Sequence, residues 1–317
     1  PSFAARLASL QSDGAARAGC TRVLSYNLLA DAYRHHWDDP GGVHSFCDPA
    51  LTAAANRLPA LLDELLRVDA DVLCLQEVDA VFWETFWRPQ LELAGYAGSY
   101  ARKVGEQSQE GCAVVVRRSR FDIVEARSVT LRLEPPPPPL APLLAAHPQT
   151  AEAVASLPTV GQLLRLRAAE GGREVLVLNS HLYFANPAVH VRLMQTAALL
   201  DEAMRWRDAL KQESGGGGGA APALLVCGDF NSDRTDAVVH LLLRGVVEPT
   251  HPDWATGLFT WLKSSGCIPT ARRAAADLAQ RLALEGEGDA AEAPAPPAAA
   301  PAEANGDGGG GGGGAAC

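Results

Sequence analysis

Four apolar, strand-like runs in this 317-residue chain end in residues able to handle a metal ion, a water or a phosphate. Leu224-Leu225-Val226-Cys227 runs into Gly228-Asp229-Phe230-Asn231-Ser232. Asp229 and Asn231, two positions apart at a strand end, project to the same side. The stretch 22–27 ends in Asn27, the buried-looking run 70–79 carries Glu77, and the run 173–179 is followed by Ser180-His181. Two carboxylates, two amides and an imidazole make a hard-oxygen set. Magnesium takes oxygen ligands, commonly one or two carboxylates with water and substrate phosphate. Cysteine is absent from these positions, which speaks against zinc. Taken singly, each residue has a plainer reading. Asn27 and Gly-Asp-Phe-Asn-Ser suit ordinary turns, Glu77 a solvated strand end, His181 a partly buried histidine. Their recurrence at four strand ends is what points to a site, because ligands gather at strand ends in sheet-based folds.

The surrounding periodicity predicts the elements that must hold these ends. Leu58, Leu61, Leu62, Leu65 and Leu66 recur at helical spacing over 52–67. A Trp- and Phe-rich helix is expected over 81–94, then strands over 96–102, 111–118 and 121–130. The runs 162–167 and 173–179, joined by Glu-Gly-Gly, predict a hairpin. Helices are expected over 189–212 and 235–245, a weak one near 150–157 and a last one over 270–284. Residues 34–50 read as an exposed polar loop and 251–254 as another loop. Five consecutive prolines in 134–140 exclude helix and central strand and predict an exposed, extended insertion. Residues 215–219 form a glycine linker. Residues 1–20 read as a lead-in segment, 21–284 as the domain, and 285–317 as a disordered Ala/Pro/Gly tail. The mixed order of strands and helices predicts a layered α/β domain with at least two sheets.

Composition narrows the function. The chain is 47% hydrophobic with a formal net charge of −10. Residues 285–317 hold six acids and no base, so most of that charge resides in the tail. The remainder is only mildly acidic, which does not suggest a broad basic nucleic-acid face. The seven cysteines are scattered and include no Cys-x-x-Cys pair. Cys74, Cys112 and Cys227 sit in apolar runs and read as buried thiols of a reducing, intracellular compartment, cytoplasmic or mitochondrial. No run approaches the roughly 18 apolar residues of a membrane span, so no membrane partner is expected.

The quoted runs carry a resemblance. Val23-Leu24-Ser25-Tyr26-Asn27-Leu28-Leu29-Ala30-Asp31, Asp71-Val72-Leu73-Cys74-Leu75-Gln76-Glu77-Val78-Asp79, Asn179-Ser180-His181-Leu182-Tyr183-Phe184 and Cys227-Gly228-Asp229-Phe230-Asn231-Ser232 resemble the motif series of the endonuclease/exonuclease/phosphatase superfamily. They are most similar to its deadenylase branch of nocturnin, Ccr4-type deadenylases and 2′,5′-phosphodiesterase. Glu110-Gly111-Cys112-Ala113 resembles the strand before that branch's substrate groove. His181-Leu182-Tyr183-Phe184 with Val189-His190-Val191-Arg192-Leu193 looks most like the 2′,5′-phosphodiesterase type, whose insertion and later loop 131–160 and 248–254 also resemble. The resemblance covers about 21 to 254.

That resemblance implies a four-layer α/β/β/α sandwich of two packed mixed sheets and a Mg²⁺-dependent phosphodiesterase, with Mn²⁺ as an alternative ion. The expected substrate is oligoadenylate or a poly(A) RNA 3′ end, cleaved to mononucleotides. Glu77 would hold the metal with Asn27 beside it, Asp229 would activate water, and Asn231 and His181 would bind the scissile phosphate. Tyr183, Phe184 and Pro187 would stack a terminal base, or else pack in the core. Arg192 would reach phosphate, or else lie on a solvated helix face. Arg117, Arg118 and Arg120 offer either a local basic strip or an exposed charge run. The family series continues with a later Asp and a closing Ser-Asp-His, and neither follows Asn231 here. The second sheet is therefore expected to be incomplete and turnover low or absent. Two alternatives remain open: a non-catalytic RNA- or protein-binding member, or a phosphatase or DNA-repair nuclease on the same fold.

Overall fold

A computed structural model describes residues 19–33, 46–105, 108–185, 188–213 and 221–254. The expected glycine linker 215–219, the helix over 270–284, the tail 285–317, Pro187 and nearly all of the lead-in 1–20 lie outside them. So does the loop 34–50 up to position 45. From Pro49 to Thr52 that loop becomes a helical turn, whose cap Asp48 accepts the Ala50 N–H at 2.9 Å.

Among the described residues, eight strands form two four-stranded mixed sheets. The first has the order β1-β2-β4-β3, from β1 (Val23–Asn27), β2 (Val72–Asp79), β3 (Tyr96–Arg102) and β4 (Glu110–Arg117). The second runs β5-β6-β7-β8, from β5 (Phe121–Thr130), β6 (Val160–Ala168), β7 (Glu174–His181) and β8 (Ala223–Asp229). Each sheet carries one parallel pair, β1 with β2 and β7 with β8. A parallel pair needs a crossover, which a helix usually supplies. Here α1 (Ala54–Val68) joins the first pair and, after α2 (80–93), α3 (Ala141–Ala146) and α4 (Pro148–Ala155), α5 (Val189–Glu213) joins the second. Helix α2 is composite: Ala80–Phe82, the wider π-turn Trp83–Trp87 and Arg88–Leu93 follow without a break.

Strand alternation builds the layers. On β2, Leu73 and Leu75 face the α1 and α2 side, where they pack with Leu58, Leu65, Trp83 and Trp87. Val72 and Cys74 face the other sheet and meet Leu164, Leu166 and Val177. The outer face of the second sheet, through Leu163, Leu176 and Leu178, packs on Met194, Leu199 and Trp206 of α5. This is the α/β/β/α arrangement, with its inner core between the sheets. A buried polar bridge crosses that core. The fully buried Asn179 accepts from Gln76 Nε2 at 2.8 Å and donates to the carbonyls of Leu75 and Ala113, both at 3.0 Å. Asn179→Ala would remove three buried hydrogen bonds, so unfolding in urea should show a loss of roughly 3 kcal/mol. An unchanged midpoint would mean that the bridge does not hold the sheets together.

The Pro-rich insertion is anchored at both of its ends. Its prolines are mostly exposed, but Leu131, Leu133 and Leu140 on either side are buried in the core over α5. The Pro137 carbonyl accepts from Leu140 and Ala141 at 2.9 and 3.0 Å, which turns the chain into α3 (Ala141–Ala146). Helix α3 was not foreseen; the expected weak helix is α4 (Pro148–Ala155). Their Leu144, Ala153 and Val154 join the same cluster. The insertion is therefore a lid on the second helical layer, anchored by the leucines that flank the prolines. After β8 comes α6 (Ala237–Arg244). Among the described residues β1 and β8 are outer strands of their sheets, and Leu224, Leu225, Val226 and Cys227 stay half-buried.

Candidate active site

The C-terminal ends of the two parallel pairs meet at one end of the sandwich. Asn27 closes β1 there, and its side chain ties the sheets together. Its Nδ2 donates to Glu77 Oε1 and to Asp229 Oδ2, each at 2.9 Å, while its Oδ1 accepts from Leu29 N at 2.9 Å.

Glu77 reaches this point through a bulge. The β2–β4 register shifts between Leu75 and Val78, and Glu77 sits in the left-handed region at φ 53°. An extra residue lets Val78 return to the helix-facing layer while Glu77 is turned toward the strand end. Its Oε2 accepts from Ala30 N at 2.9 Å. A non-glycine residue at positive φ stores strain that ordinary packing would not retain. Asn231 repeats the pattern at φ 48°: its N–H donates to Asp229 Oδ1 at 3.0 Å and its Nδ2 to Leu182 O at 2.9 Å.

His181 lies opposite Asp229 in the β7–β8 register. Its Nδ1 is 3.9 Å from Glu77 Oε1 and its Nε2 is 4.0 Å from Asp229 Oδ2. Both separations exceed a hydrogen bond, and the buried Nδ1 has no hydrogen-bond partner. Burial, and then the Lys103 charge, hold the imidazole below its usual range against the pull of Glu77 and Asp229. Two carboxylates held around one amide bring negative charge together at the strand ends. That suits a divalent ion. Among the described residues no three His, Cys, Asp or Glu side chains are grouped to enclose a metal. Any ion on Glu77 would therefore complete its shell with water and phosphate oxygens, as magnesium does.

The chain matches the model of the Endonuclease/Exonuclease/phosphatase family over residues 24–273. It belongs to that family. Among its relatives, rat 2′,5′-phosphodiesterase 12 is 29% identical over 240 residues, covering 74% of this chain and 38% of that protein. Carbon catabolite repressor protein 4 homolog 1 of Arabidopsis thaliana is 31% identical over 253 residues, covering 74% and 39%. The chain thus spans about two fifths of the length of these curated relatives, at 38% and 39%. The solved structure of ANGEL2, a 2′,3′-cyclic phosphatase, in complex with adenosine-2′,3′-vanadate matches with TM-score 0.57 at 27% identity, covering 71% of this chain and 57% of that one. The human nocturnin catalytic domain, at 23% identity and TM-score 0.53, covers 71% and 70% and shares the fold. The deadenylase-branch resemblance drawn from the motifs holds. Family enzymes are generally divalent-metal dependent, and the relatives are hydrolases.

Asn27, Glu77, His181, Asp229 and Asn231 are thus brought together. The other expected residues separate. Tyr183 packs partly against the core over α5, whereas Phe184 is 72% exposed beside it. Arg192 is neither on a solvated face nor extended toward the carboxylates. It is buried, and its guanidinium meets Ala185 O, Tyr183 O, Ser232 Oγ and the Asp236 carboxylate. Arg117 and Arg120 lie at the far end of the sandwich, where β4 ends beside the start of β2. There they pair with Asp69 and Asp71, so they make no basic strip at the site.

Sequence reasoning passed over Tyr33 and Lys103. Both pair with Glu110, which is fully buried at the start of β4 and whose pKa burial raises. The Glu110-Gly111-Cys112-Ala113 run was a signal for that acid. Lys103 had none: only the β3–β4 pairing, with Lys103 N donating to Glu110 O at 3.0 Å, brings its ammonium to this end.

Proposed function

We propose that this family member is a magnesium-dependent phosphodiesterase that removes mononucleotides from oligoadenylate or the 3′ end of poly(A) RNA. The observation that carries the reading is the Asn27 amide, which holds Glu77 of one sheet and Asp229 of the other in a single cluster. Glu77 would hold the ion, with Asn27 and Ala30 N fixing its carboxylate. A bound magnesium lowers the pKa of water and neutralises charge on phosphate oxygens. Asp229 is the acceptor for the proton of the attacking water, oriented by Asn27 on one oxygen and by Asn231 N on the other. His181 offers an N–H to a phosphate oxygen. The Asn231 amide has two N–H donors; one goes to Leu182 O and the other is available to the phosphate. Phe184 is the exposed ring on which a terminal base would stack, an interaction of about 1–3 kcal/mol.

The test combines two readouts on the purified chain. Mn²⁺ binding followed by electron paramagnetic resonance reports the metal site without requiring turnover. Release of AMP from 2′,5′- and 3′,5′-linked oligoadenylate, with and without Mg²⁺, reports the reaction. Binding with magnesium-dependent release supports the reading; absence of Mn²⁺ binding, or release that ignores the metal, overturns it. The likeness to ANGEL2 favours one further reading, opening of a 2′,3′-cyclic phosphate end. An RNA bearing that end belongs in the same assay, and its preferential consumption would select the alternative.

A further inference from the structure

Arg192 poses a problem of energy. It is the fourth residue of α5, so its cation sits at the positive end of the helix dipole, where anions are favoured. It is also only 2% exposed, and taking a charge out of water is costly unless partners repay it. Burial lowers its pKa, against the pull of Asp236, Asp253 and Asp233. A leucine or methionine would fill such a place at less cost.

What the guanidinium gains is a set of contacts to two different chain segments. Nη1 donates to Ala185 O at 2.7 Å and, at 3.5 Å, to Tyr183 O, both in the segment that leaves β7. Nε donates to Ser232 Oγ at 3.3 Å, and Nη2 lies 3.8 Å from Asp236 Oδ2, both in the segment that leaves β8. One turn further along α5, Gln195 Oε1 accepts the Tyr183 N–H at 3.3 Å. The backbone is therefore held at Tyr183 and at Ala185, the residues on either side of Phe184, while the Phe184 side chain stands 72% exposed. An exposed aromatic on an immobilised backbone is a preorganised platform: its ordering cost is met before a ligand arrives.

We propose that Arg192 is a positioning residue that locks the Tyr183–Ala185 segment to the turn after Asp229, and so sets the place where a terminal base stacks relative to the phosphate site. This rests on the phosphodiesterase reading given above. The planar fork of arginine spans both segments; a lysine ammonium is a point charge and cannot.

The experiment uses Arg192→Lys, Phe184→Ala and the double variant in the full chain. The probe is an oligoadenylate ending in 2-aminopurine, whose fluorescence is quenched on stacking. Affinity and quenching are measured together with hydrogen exchange at the amides of residues 182–185. Arg192→Lys is expected to weaken binding about tenfold, as loss of one stacked base would, with less quenching and faster exchange. Adding it to Phe184→Ala should weaken binding no further, because the two act as one unit. Unchanged exchange and quenching in Arg192→Lys overturns the proposal, and so do fully additive losses in the double variant. If the wild-type chain binds no oligoadenylate, the substrate reading fails while hydrogen exchange still decides the clamp.

Discussion

Glu77→Gln should lower magnesium-dependent hydrolysis by at least about a hundredfold, the upper range seen even for groups that only support a ligand. The change is nearly isosteric, so packing is kept. The charge that would hold the ion is lost. One of two hydrogen bonds is lost as well, because both Asn27 Nδ2 and Ala30 N donate to this carboxylate and an amide has a single oxygen. The net cost to folding is on the order of 1 kcal/mol, small enough for the folded variant to be assayed. Mn²⁺ binding should fall in parallel with rate. Asp229→Asn makes the contrast: loss of a proton acceptor typically costs about 10²–10⁴-fold in rate, with Mn²⁺ binding reduced less than in Glu77→Gln. Normal Mn²⁺ binding by Glu77→Gln would refute the assignment of this carboxylate as the ligand.

Gly228→Ala should have the largest effect on stability. Gly228 has φ +148°, and a Cβ there would lie 2.3 Å from Ser180 O, a backbone atom that cannot swing aside. Ser180 and Gly228 are register partners, one step before His181 and Asp229. The methyl group would therefore force β8 away from β7 where the two sheet-end residues must face each other. A cost of at least about 3 kcal/mol is expected from strain and the broken ladder. Urea unfolding measures it, and loss of Mn²⁺ binding should accompany it. A variant with the wild-type midpoint would show that β7 and β8 can separate here without consequence.

Much of the fold was legible because its strands are buried on both faces or alternate cleanly. β2 reads as a continuous apolar run since one face meets helices and the other meets a second sheet. The prolines of the insertion are mostly exposed and lie outside helix and strand, as their type requires, while the burial on either side has no local signal. Five prolines exclude regular structure, but they say nothing about Leu133 and Leu140 on either side, whose burial depends on the α5 surface that receives them. Arg192 was read by its charge, and helical spacing alone cannot distinguish a solvated face from one roofed by two loops. Arg117 and Arg120 suit either a basic strip or an exposed run in the sequence, which does not say at which end of a strand they emerge. Their partners Asp69 and Asp71 precede β2, while Glu77 lies near its other end.

The family was carried by residue types and motifs alone: acids, amides and a histidine after apolar strands, in patterns that need only local order to be recognised. Tertiary structure decided which of those groups share a site and how each is aimed. Asn27 and Asp229 are 202 residues apart yet joined at 2.9 Å, a contact that exists only once the two sheets are packed face to face with the ends of their parallel pairs side by side. Glu77 depends likewise on a bulge set against β4, and the backbone around Phe184 on a guanidinium brought over it by α5. Residue type is a local property. Position relative to a phosphate is set by register and packing, and those are fixed by the whole fold.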